Sequence, residues 1–199
     1  MELTFKRTAQ VVAVLLLLAA ATQAAYTALY IAQMDVPRQL MWGTEGILFT
    51  ILAAFAGSAL VQARRAHLGW AAIAFAAVLN VVQVGVGLTM FAPFGEAADA
   101  VEGMAPAAGA VVAYSFMVYN AAKVLLALAA IDFGIGKAKA GPATLGYLTA
   151  GVGAVALVSN ALSLALGRGF SGELPIAGGS GVLATLLLAV CLLTLKQDD

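Results

Sequence analysis

Long apolar stretches alternate along this chain with short charged breaks. No Asp, Glu, Lys or Arg occurs in 8–34, 46–63, 66–95, 103–122, 140–167 or 174–195. A helix needs about 20 apolar residues to cross a hydrocarbon core of roughly 30 Å, so each window has room for one crossing. In lipid every backbone N–H and C=O needs an internal partner, and the alternating period of a β-barrel is absent. The pattern predicts an all-α polytopic membrane protein of six transmembrane helices, over 9–33, 39–63, 68–92, 107–135, 142–167 and 177–195. Residues 1–199 form one transmembrane domain on this reading. Pro37, Pro93, Pro106, Pro142 and Pro175 are expected at or between helix ends, where a missing N–H costs least. The first apolar run continues from Val11 through Tyr30 to Ala32, longer than the core of a signal peptide, and reads as an uncleaved helix.

Composition removes several classes of function. The chain is 63% hydrophobic and 10% charged, against about half and a quarter in soluble domains, which leaves no separate soluble domain. A net charge of zero argues against a nucleic-acid partner. One Cys and one His exclude a disulfide framework and a His/Cys metal cluster, and no cofactor motif is present.

Charge placement predicts orientation. Lys6, Arg7, Arg64, Arg65, Lys137, Lys139 and Lys196 fall on one side, and only Arg38 and Arg168 on the other. That asymmetry predicts both termini in the cytoplasm, for a multi-pass protein expected in the cell membrane, an inner membrane. The loop 93–106, which carries Glu96, Asp99 and Glu102, is then outside. It is expected to be partly helical and to lie over the outer mouth.

Two stretches align. Leu68-Gly69-Trp70, Asn80-Val81-Val82-Gln83 and Phe94-Gly95-Glu96 recur as Leu145-Gly146-Tyr147, Asn160-Ala161-Leu162-Ser163 and Phe170-Ser171-Gly172-Glu173. The first helix fits the frame more weakly, with Gln23 under the Asn. Among the even helices, Glu45 lies against Lys123 and Gly181. The simplest reading is an internal repeat of three outward-pointing helical hairpins, and the alternative is chance likeness in an Ala/Leu/Val background. Ala and Gly supply 66 of the 199 residues, the small surface on which helices approach in lipid.

Two charges fall well inside helices. Glu45 and Lys123 would each cost about 3 kcal/mol at the bilayer centre, so both should face protein or water. Glu45 shares a face with Met41, Trp42, Leu48 and Phe49, and Lys123 with Tyr119 and Asn120. From their depths the two are separated by roughly 8 to 16 Å along the axis, depending on where the fourth crossing begins. Snorkelling of Lys123 leaves a direct pair open.

Three polar stripes accompany the charges: Gln23, Tyr26, Thr27 and Tyr30; Asn80, Gln83 and Gly87; Asn160, Ser163 and Gly167. Singly, each is an interhelical hydrogen bond. Together they suggest an outward-opening polar cavity that binds a small polar solute through Glu45, Lys123, Asn120, Asn80, Gln83, Asn160, Tyr26, Trp42 and Tyr119. Asp132 is expected at the interface or against Lys137, and Cys191 as inert packing.

Three classes of function compete. A small-solute channel or transporter uses the charges and the stripes. A non-transport sensor, chaperone or assembly subunit uses them only for packing. An intramembrane enzyme lacks a Ser/His, Cys/His or paired-carboxylate grouping, so no residue is assigned as catalytic. Membrane lipids are partners in every case, and a homo-oligomer or a membrane partner protein remains open. No motif carries a resemblance to a known family.

Overall fold

A computed structural model describes residues 3–34, 36–167 and 176–195, together with all but the Tyr30 side chain within them. Arg168, Lys196, Pro175 and the Phe170–Glu173 half of the alignment lie outside the described residues. Six helices follow in order: α1 (Phe5–Ile31), α2 (Arg38–Gln62), α3 (His67–Ala100), α4 (Ala105–Ala140), α5 (Ala143–Leu166) and α6 (Ile176–Leu193). All six are long and apolar enough to cross a membrane, and no strand occurs among the described residues. The chain is a six-helix membrane bundle.

The helix ends follow the breakers. Pro37 precedes α2, Pro106 opens α4, and the Gly141–Pro142 step separates α4 from α5. Gly103, at φ +87°, turns α3 into α4 in a conformation that a side chain would strain.

Pro93 does not end its helix. It lies inside α3, which continues to Ala100, so the expected loop 93–106 is two helix ends joined by the short turn 101–104. The reason is depth. Pro93 stands 26 residues after His67, beyond the ~20 that cross the hydrocarbon, where water can satisfy the carbonyl its ring leaves unbonded.

Consecutive helices pack side by side, α6 closes against α1, and α4 also touches α6. Among the described residues neither α1 nor α2 is a backbone neighbour of α4, so any link between them runs through side chains. Close approach is clearest between α4 and α5. A Cβ on Gly134 would stand 2.7 Å from the Ala150 nitrogen and 2.8 Å from the Gly146 carbonyl.

Contacts at the two ends fix which termini lie together. At one end Phe5, Trp70 and Phe133 meet edge to face, with ring centroids 5.7 and 5.1 Å apart. The same end carries Lys6, Arg7, Arg64, Arg65, Lys137 and Lys139. At the other, Tyr26, Trp42 and Phe91 stack beside Arg38, and Glu96, Asp99 and Glu102 lie nearby in sequence. Leu40, Ile47, Val61, Phe75 and Leu148 are exposed on the outside, the surface that lipid covers.

Two polar side chains at the basic end act as helix caps. Asp132, expected at the interface or against Lys137, is partly exposed and accepts the Gly69 N–H at 2.9 Å. Residue Ala66 offers α3 no side-chain cap, and a carboxylate from α4 takes up one of its unpaired N–H groups. Lys137 instead donates to the Thr194 carbonyl at the C-terminal end of α6. Cys191 is buried, 3.3 Å from the Thr149 hydroxyl, as a packing residue would be.

Candidate functional site

Lys123 lies at the middle of the bundle and is 0% exposed. Its stem runs over Gly181 of α6, where an added Cβ would stand 3.0 Å from Cδ and 3.2 Å from Cγ. The same point on Gly181 is 3.5 Å from the Asn160 amide nitrogen of α5. A side chain at 181 would have to push the stem aside by a few tenths of an ångström. The ammonium crosses to the far side, donating to the Gln23 carbonyl oxygen of α1 at 2.5 Å and lying 5.2 Å from the Tyr119 ring centroid. Since α1 and α4 are not backbone neighbours, this bond is a bridge through the bundle interior.

Glu45 of α2 is 4% exposed. Its carboxylate lies near Thr22 of α1 and feels the charge of Lys123, but the two charges form no direct ion pair among the described residues. Thr22 and Gln23 are successive residues of α1, one beside the anion and the other bonded to the cation. The Thr22 hydroxyl itself donates to the Ala19 carbonyl at 2.9 Å.

Above this layer, toward Arg38, aromatic rings close the bundle. Trp42, one turn before Glu45, meets Tyr26 at 5.5 Å and Phe91 at 5.6 Å between centroids. Gly87 gives Trp42 its place, since a Cβ there would stand 2.5 Å from the indole. The Arg38 guanidinium lies 6.0 Å from the same indole.

Asn80 and Asn160 are both 0% exposed, and each donates to the carbonyl four residues earlier at 2.8 Å. Asn160 also donates to Ala177 at 3.0 Å, tying α5 to the start of α6. The side-chain oxygens of both asparagines have no hydrogen-bond partner among the described residues. An unused buried acceptor carries a desolvation cost of about 1–3 kcal/mol.

The sequence-predicted residues therefore divide. Lys123 meets Tyr119 and bears electrostatically on Glu45, Asn160 lies like the lysine stem beside Gly181, and Tyr26 and Trp42 pack together above them. Gln83 pairs instead with Ser115 of α4 at 3.4 Å, and Asn80 with its own helix. Asn120 is buried, and no hydrogen bond joins it to either charge among the described residues. Gln23, Thr22 and Gly181 were missed as site residues. The alignment of Gln23 with the two asparagines, and of Gly181 with both charges, was the signal that could have found two of them.

Among the described residues no group of three or more His, Cys, Asp or Glu could hold a metal ion. A recess of about 360 Å³ lies elsewhere, on the α2–α3 flank between Gly46, Ile47, Val84 and Gly85. Comparison with family models, with curated proteins and with solved structures finds no match for this chain.

Proposed function

We propose that this protein is a small-solute transporter or channel whose solute site is the Lys123–Gln23–Glu45 centre, seen here closed. The observation that carries this reading is that two opposite charges are buried mid-bundle without pairing directly. A pair kept only for packing gains most from direct contact, because direct contact best offsets the cost of removing both ions from water. Here the lysine instead bonds a neutral carbonyl of α1, which can be exchanged for a solute or for water. On this reading the chain acts without a catalytic residue or cofactor of its own.

The same reading places the protein in the cell membrane with both termini cytoplasmic, so that the aromatic cap faces outward. Six basic side chains grouped at the opposite end support that orientation. It also keeps the three-hairpin repeat, supported by the matching hydrogen bonds of Asn80 and Asn160 and by Gly181 lying against Lys123.

A second reading, a sensor, chaperone or assembly subunit with a membrane partner or a second copy, draws on the complete burial of Lys123, Asn80 and Asn160. Osmotic swelling of vesicles containing the purified protein separates the two. A panel of neutral, anionic, cationic and zwitterionic solutes is expected to include at least one that enters faster than into protein-free vesicles, with Lys123→Met removing the difference. Identical swelling for every solute contradicts transport and favours the second reading.

A further inference from the structure

The chemistry of the closed centre also restricts what it would carry. Resting on the transport reading above, we infer that the solute is a small zwitterion of the amino-acid or betaine class, its carboxylate taken by Lys123 and its cationic nitrogen by Glu45.

The centre holds one basic and one acidic side chain, Lys123 bonded to the neutral Gln23 carbonyl and Glu45 buried without a direct ion pair among the described residues. A solute carboxylate replacing the Gln23 carbonyl on Lys123 exchanges a neutral acceptor for a charged one. A solute cation beside Glu45 supplies the charged partner that the carboxylate does not have in the closed bundle. Hydrogen bonds with charge on both sides are roughly twice as strong as those with neutral partners.

Other solute classes fit less well. An anion satisfies Lys123 but brings its charge beside Glu45, and a cation meets the reverse conflict at Lys123. A neutral polyol gives up the strong exchange at both ends. Only a solute with both charges meets both partners without adding net charge to the interior, where uncompensated charge is most costly. The aromatic faces lie on the side a nitrogen cation needs. Trp42 is one turn from Glu45, and Tyr26 is one turn from Thr22 and Gln23, with the two rings 5.5 Å apart. Such faces attract ammonium and methylated ammonium groups.

Uptake of labelled glycine and glycine betaine by sealed vesicles containing the full chain tests this, with acetate, ethylammonium and glycerol as comparison probes. The expected result is entry of at least one zwitterion about tenfold faster than into protein-free vesicles, while the other three enter no faster. Glu45→Gln and Lys123→Met should each remove that excess. Should either variant fail to fold, competition on the unaltered protein decides. Excess unlabelled zwitterion should suppress labelled uptake, and acetate and ethylammonium added together should not. Protein-dependent entry of acetate, ethylammonium or glycerol without the zwitterions overturns the solute class and leaves transport standing. Entry of none of the five overturns the class, and swelling across the wider panel then decides the transport reading separately.

Discussion

Lys123 joins three helices through one side chain: its own, α6 at Gly181 and α1 at Gln23. Removing a hydrogen-bond acceptor from a buried cation costs about 1.5–3 kcal/mol, so Gln23→Leu should destabilise the protein by about 2 kcal/mol in thermal or denaturant unfolding in detergent. Glu45→Gln and Lys123→Met should each cost about 2–3 kcal/mol by leaving one buried charge without its counterpart, and the double variant should recover at least about 1 kcal/mol of the summed loss. If the two losses add, the charges do not share a centre. The sequence makes these charges visible because an ionised side chain in an apolar run is conspicuous. It does not show that Gln23 meets Lys123, since helix spacing gives the face of a residue but not which distant helix that face meets.

Among the elements, α3 and α4 are anchored at the basic end by Asp132 on Gly69 and by the Trp70–Phe133 contact. Asp132→Ala should cost about 1 kcal/mol as a lost N-terminal cap, and Asp132→Asn less, because its oxygen still accepts from Gly69. At the α4–α5 seam Gly134→Val has nowhere to place its side chain except into the α5 backbone. It should cost about 3 kcal/mol or more and shift the unfolding midpoint accordingly, whereas the same change at Gly136, which faces open space, should stay within about 1 kcal/mol. Helix number and most helix ends were legible because Pro, Gly and clustered charges interrupt otherwise apolar runs. Pro93 misled, since proline breaks a helix only where the freed carbonyl has no alternative partner. The role of Asp132 was hidden for a different reason, as the N–H it accepts belongs to a helix start 63 residues away.

At the scale of the whole molecule, the bundle is a polar centre between two aromatic layers, Phe5–Trp70–Phe133 at the basic end and Tyr26–Trp42–Phe91 at the other. Orientation is checked with single cysteines on a Cys191→Ser background. In intact cells an impermeant thiol reagent should label a cysteine replacing exposed Asp99 and should spare one replacing exposed Lys139. The reverse result would turn the aromatic cap inward. The central claim is that the closed charge centre opens to solute from the side of the aromatic cap, and Asn120 reports on it directly, being one turn from Lys123 and 6% exposed. In right-side-out vesicles, Asn120→Cys on the Cys191→Ser background should react with a small cationic methanethiosulfonate added outside, at a rate well above that of global unfolding. Reaction only after the protein is denatured would contradict the account.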